Sequence, residues 1–129
     1  MVEAVDRDAA ALSGLSGVAG IHARIADLEG GPWPFSEARF AAIVATNYLH
    51  RPLFPLLVAA LDPGGVLIYE TFGIGNERFG RPSNPAFLLR PGELLDVVAD
   101  GFDVLGYEHG ETVEPRRAVV QRLCARRRD

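Results

Sequence analysis

Two aspartates, Asp6 and Asp27, each stand just past a short apolar run, 21 positions apart. A carboxylate accepts two hydrogen bonds at once, so such a residue suits a vicinal diol. Read by itself, Asp6 serves equally well to end a strand, and Asp27 to make a turn. Further on, residues 40–46 are uninterrupted by charge, and Asn47, Tyr48 and His50 follow abruptly. In open α/β sheets ligands bind outside the carboxyl ends of the strands, which is where these polar groups would stand. His50 also reads as a surface residue at the start of a helix. A third set, Glu70, Asn76, Glu77, Arg78 and Arg81, follows or ends the apolar run 66–72, with Phe72 at its edge. Arg78 and Arg81 suit a carboxylate or a phosphate, although surface salt bridges are the commoner use of arginine.

The elements that position these residues can be read from apolar runs and their punctuation. Residues 2–5 form a strand-like run, and Asp8 caps a short helix over residues 9–12. Residues 21–26 alternate well enough for a second strand, stopped at 27–31. Pro32 and Pro34 exclude regular structure around Trp33. Residues 40–46 read as a buried strand, followed by a helix from His50-Arg51-Pro52 through Leu61. Asp62-Pro63-Gly64-Gly65 is a turn, and 66–72 a second buried strand. Residues 73–89 lack periodicity and read as a long, functional loop. A helix from Pro91 to Gly101 and two strands, 102–107 and 118–125, complete the chain. Their connection, 109–117, is too short for a crossover helix, so the pair is antiparallel. Alternation of this kind implies a mainly parallel sheet layered with helices.

Composition limits the alternatives. The 129 residues are 48% hydrophobic and 23% charged, as expected of a single folded domain, residues 1–129. A net charge of −4 gives no basic footprint for nucleic acid or membrane surface. All 13 basic residues are arginine, and Arg126-Arg127-Arg128 reads as a solvated tail. The single cysteine, Cys124, cannot form an internal disulfide or a multi-cysteine metal site, and its apolar neighbours suggest a buried, inert thiol. No metal site is expected. No apolar run reaches the roughly 20 residues needed to cross a bilayer, and no signal pattern opens the chain, so a cytoplasmic setting is expected.

Four stretches, in order, resemble class I S-adenosylmethionine-dependent methyltransferases. They are Val2-Glu3-Ala4-Val5-Asp6, Ala26-Asp27-Leu28-Glu29, the run from Phe40 to His50, and Leu61-Asp62-Pro63-Gly64-Gly65 leading into an apolar strand. The details Asn47-Tyr48-Leu49-His50-Arg51-Pro52, Glu70-Thr71-Phe72 and Gly75-Asn76-Glu77-Arg78-Phe79-Gly80 are similar to a group of small bacterial methyltransferases. Ala41 departs from the aspartate that the family often carries there. The resemblance implies a Rossmann-like α/β fold and S-adenosyl-L-methionine as cofactor. It implies that Asp6 contacts the ribose and Asp27 the adenine, that Asn47 and Tyr48 border the methionine end, and that Arg7 and Leu28 also bind the cofactor. Glu70, Phe72, Asn76, Arg78 and Arg81 would then line a small-molecule methyl acceptor. Methyl transfer is a displacement that depends on positioning, and no catalytic residue is singled out.

The family's first strand and glycine-rich loop should precede Asp6, where only five residues stand, whereas such a unit needs roughly 30. Gly14, Gly17 and Gly20 follow a helix and precede a strand, the wrong context for a cofactor cradle. The expectation is therefore a sheet lacking its first strand, open edges that offer a route to oligomers, and weak cofactor binding. Two rivals stand beside this reading: a nicotinamide-dependent oxidoreductase, disfavoured by the antiparallel ending, and a non-enzymatic remnant or pairing subunit.

Overall fold

The computed structural model describes residues 1–129, which divide into two compact units, Met1–Ser36 and Glu37–Asp129. In the first, strands β1 (Val2–Asp6) and β2 (Ile21–Ile25) pair in parallel with Asp6 opposite Ile25. Helix α1 (Ala9–Leu12) and a 3₁₀ turn (Ser13–Leu15) connect them. Asp8 caps α1 as expected, its Oδ1 accepting from the Ala10 amide at 2.9 Å. Gly14, Gly17 and Gly20 lie in the connection between this helix and β2. Parallel pairing brings the residues after both strands, Asp6 and Asp27, to one end of the sheet.

The second unit is a four-stranded sheet in the order β3-β4-β6-β5, formed by β3 (Phe40–Thr46), β4 (Leu61–Phe72), β5 (Phe102–Thr112) and β6 (Ala118–Arg127). β3 and β4 are parallel, and β6 runs antiparallel to both β4 and β5. One face of the sheet carries Leu67, Tyr69, Leu123 and Ala125. It packs on Leu49 and Phe54, on Leu89, and on Leu94 and Val98. The Phe54 and Tyr69 rings meet edge to face at 5.6 Å. On the other face, Val44 and Ile68 are register partners and both are exposed.

Several elements differ from their sequence expectation for identifiable reasons. The helix expected over 50–61 is a 3₁₀ turn (Arg51–Leu53) followed by α2 (Phe54–Ala59). Pro55 has no amide to bond to the Arg51 carbonyl, so the α-helical ladder begins late. It ends at Ala60, whose carbonyl accepts from the Phe40 amide at 2.8 Å. The turn at 62–65 is accommodated inside β4. Leu61 pairs with Phe40 and Val66 with Ala42, so four residues of β4 oppose Ala41 alone. Gly64 makes this possible with a φ of 80°.

The long loop contains two 3₁₀ turns (Asn76–Arg78 and Pro85–Phe87), and the helix after it, α3, is only Glu93–Val97. The closing strands are antiparallel as expected but longer. β5 continues to Thr112 and β6 to Arg127, which leaves 113–117 as the connection. The polar stretch 108–112 belongs to the sheet because β6 supplies its backbone partners. Cys124 is half-buried. The terminal arginines are not a free tail. Arg127 Nη1 donates to the carbonyls of Val58 and Leu61, and Arg128 pairs with Asp103 at 3.5 Å. No helix is long and apolar enough to cross a membrane.

Alanine at position 64 would have open space but a strained backbone. Gly64→Ala should therefore lower stability by about 1–2 kcal/mol. A denaturant midpoint equal to that of the parent would show that the β4 insertion does not need this conformation.

Candidate functional site

In the first unit, Asp6 is exposed and its Oδ1 accepts from the Asp8 amide at 2.9 Å. Its carbonyl accepts from Ala26 at 3.1 Å, which fixes the step out of β2. The carboxylate of Asp27 accepts from the amides of Glu29 and Gly30 at 3.0 and 3.1 Å. A Cβ on Gly31 would stand 2.8 Å from the Asp27 carbonyl oxygen, so the turn is tight enough to require glycine. Arg7 is exposed beside Asp6, and Leu28 is half-buried beside Asp27. The four residues expected to face a nucleoside are therefore gathered at the carboxyl end of β1 and β2.

In the second unit, the carboxyl ends of β3 and β4 are fastened together. Asn47 adopts a left-handed φ of 53°, which asparagine tolerates better than most residues. Its amide donates to the Glu70 carbonyl at 2.9 Å. The buried Tyr69 hydroxyl donates to the Tyr48 carbonyl. Burial, with Tyr48 and Glu93 adding, pushes the Tyr69 hydroxyl well above its ordinary value, so it stays a donor. His50 is half-buried.

The next residue, Arg51, grips the far end of the long loop. Its Nε donates to Glu93 Oε2 at 2.6 Å and its Nη2 to Glu93 Oε1 at 3.0 Å. Its remaining contacts go to the carbonyls of Ala86 and Leu88, both at 3.0 Å. Glu93 is 5% exposed and also accepts from the Arg90 amide at 2.9 Å. Burial alone pushes the Glu93 carboxyl up. The Arg51 fork, the Arg90 amide and the two arginine charges outweigh that and hold it below the usual carboxylate range.

The acceptor residues expected from sequence divide into two groups. Asn76 is a correction: it is fully buried, its Nδ2 donating to the Pro82 carbonyl at 2.9 Å and its Oδ1 accepting from Val119 at 3.1 Å. It holds the loop's shape and presents nothing to a ligand. Glu70 is likewise committed. Arg122 donates to it at 2.8 Å and to Glu108 at 3.0 Å, making a charge ladder across β4, β6 and β5. Phe72, Arg78 and Arg81 remain at the surface of the carboxyl edge, with the Arg116 guanidinium 5.5 Å from the Phe72 ring centroid.

Sequence reading missed Arg51, Glu93 and Gln121. Gln121 is fully buried. Its Oε1 accepts from the Leu94 amide at 2.8 Å and its Nε2 donates to the Arg90 carbonyl at 2.9 Å. An uncharged polar residue inside the apolar run 118–125 was the available signal.

No family model matches the chain, and no curated protein matches it. Solved structures do. TehB from Haemophilus influenzae superposes with a TM-score of 0.75 at 15% identity, over 98% of this chain and 50% of that one. The N-methyltransferase NodS from Bradyrhizobium japonicum WM9 gives 0.70 at 13% identity, over 98% of this chain and 73% of NodS. The [4+2]-cyclase SpnF gives 0.65 at 14%, over 99% and 66%. The chain thus shares a Rossmann-like α/β fold with these structures, as it does with S-adenosylmethionine-dependent methyltransferases from Methanosarcina mazei and Mesorhizobium loti, and spans about half the length of TehB. Because a cyclase shares this fold, the fold by itself does not name a reaction.

A carboxyl held low in the folded state contributes stability that is complete above its unfolded value, about 4.3. That contribution is lost as pH falls through the folded value. The parent chain should therefore lose stability as pH falls below about 4.3. Glu93→Gln should begin less stable at neutral pH and vary less over the same window. Parallel stability curves for the two proteins would contradict the assigned role of Glu93.

Proposed function

We propose that this chain binds S-adenosyl-L-methionine and serves methyl transfer to a small-molecule acceptor. The observation that carries the reading is the strand order β3-β4-β6-β5, with parallel strands whose carboxyl ends carry prebuilt polar turns and an antiparallel closing pair. A nicotinamide-dependent enzyme of doubly wound fold would more usually end in parallel strands.

The residues present fit the cofactor's chemistry. Asp6 Oδ1 takes one backbone amide and its Oδ2 takes none, so the exposed carboxylate keeps capacity for the hydroxyls of a ribose. The Asp27 turn offers a second fixed carboxylate, suited to an amino group. When bound, the sulfonium supplies an electrophilic methyl group. The protein's own part is orientation. Within the first unit, Asp6 would hold the ribose and Asp27 the adenine, with Arg7 and Leu28 beside them. Residues 73–89, fixed by Arg51 and Asn76, form the acceptor wall, with Phe72, Arg78 and Arg81 facing the acceptor.

Titration of the chain with S-adenosylhomocysteine, followed by amide NMR, should shift Asp6 and Asp27 even at weak affinity. Asp6→Ala should weaken binding by one or two charge-assisted hydrogen bonds, about 1.5–3 kcal/mol each. Unchanged affinity in a folded Asp6→Ala protein would remove Asp6 from the site. Binding of NADH in place of S-adenosylhomocysteine would overturn the reading itself.

A further inference from the structure

The fold joins the two loop arginines, Arg78 and Arg81, to two from a distant segment, Arg116 and Arg117 of the β5–β6 connection. The guanidiniums of Arg78 and Arg117 both lie over the Phe79 ring, 5.0 and 4.6 Å from its centroid. Both also pair with Glu111, at 3.2 and 3.4 Å. Arg116 lies over Phe72, and its Nη2 donates to the Arg81 carbonyl at 2.9 Å. The Arg81 side chain is exposed and makes no hydrogen bond or ion pair within the chain.

The acidic groups nearby offset much of this charge but not all of it. Glu111 is shared between Arg78 and Arg117. Glu77 Oε2 accepts from the Gly75 amide at 2.7 Å, and Glu108 belongs to Arg122. Glu114 is exposed in the same connection. The cluster is therefore ordered from below and open above. Aromatic faces and a carbonyl orient three of the guanidiniums, and a stacked guanidinium keeps its edge N–H donors available. Four arginines against Glu77, Glu111 and Glu114 leave one positive charge in excess here, in a chain of net charge −4, and the exposed guanidiniums would draw a small anion.

We infer that Arg81 and Arg116, supported by Arg78 and Arg117, bind an anionic group, a carboxylate or a phosphate, carried by the methyl acceptor. Planar guanidiniums match either group with paired N–H donors. The identity of the ligand as a methyl acceptor rests on the function proposed above, but the anion site does not. A nucleic acid is the poorer fit, because the cations form one cluster and no extended stripe.

The test is to follow the arginine Nε–Hε resonances of the whole chain while adding inorganic phosphate and, separately, glutarate at fixed ionic strength. The inference expects saturable shifts at Arg81 and Arg116 with at least one probe, and none at Arg7. Whichever probe acts identifies the anionic group. The double variant Arg81→Ala/Arg116→Ala should bind at least about tenfold more weakly. Arg81→Lys/Arg116→Lys, which keeps the charge and loses the fork, should recover only part of that loss. Circular dichroism of both variants is the check that they are folded.

No saturable shift, equal shifts at Arg7, or unchanged affinity in the alanine double variant would overturn the inference. Tighter binding of a single-stranded oligonucleotide than of either small anion would overturn it as well. Anion binding without any response to S-adenosylhomocysteine would leave this site standing and count against the proposed methyl transfer. The opposite pattern would do the reverse.

Discussion

The fork between Arg51 and Glu93 is the contact on which the carboxyl edge of the four-stranded sheet depends. It spans 42 positions of sequence and ties the segment after β3 to the start of α3. The two carbonyls it also holds, Ala86 and Leu88, belong to the end of the long loop. Breaking a buried ion pair costs about 3–5 kcal/mol because the remaining charge is left without a partner. Here Arg90, 3.6 Å from Glu93, places the cost toward the low end. Such a price is large beside the whole stability of a small domain, so the loop's position is set by chemistry and not by chance packing.

Other buried polar groups extend the same arrangement. Gln121 carries the sheet's hydrogen bonding into the start of α3, and Asn76 joins the loop to β6. No buried side-chain nitrogen or oxygen is left without a partner. A loop rich in glycine and proline is thus held by groups that each satisfy a backbone donor or acceptor. This is how an aperiodic segment can offer a fixed surface beside the strand ends. The exposed residues of that surface, Arg78 and Arg81, can then present charge without carrying the fold.

The strands were legible in the sequence because apolar runs are bounded by polar or turn residues, Arg39 and Asn47 around 40–46, and Asp62-Pro63-Gly64-Gly65 and Gly73 around 66–72. The turn at Asp6 and the cap at Asp8 were legible because they involve only neighbours. The sequence hid whatever depended on distant partners. Residues 108–112 carry charges and a glycine, and become a strand only because β6 lies beside them. Asn76 reads as a loop polar group until Val119 and Pro82 bury it. Arg51 reads as a helix start, since nothing local reveals Glu93. Arg116 and Arg117 join the candidate site only through the β5–β6 connection, which the sequence reading assigned to a plain loop.

The most direct measurement of the central claim is amide hydrogen exchange in the parent chain and in Arg51→Ala. Phe87, Leu88 and Leu89 donate to Asn84, Pro85 and Phe72 respectively. The account predicts that these three amides lose protection in the variant while the paired amides of β4 and β6 keep theirs. Unchanged protection at 87–89 would show that the loop holds its position without the Arg51–Glu93 fork, and would contradict the account.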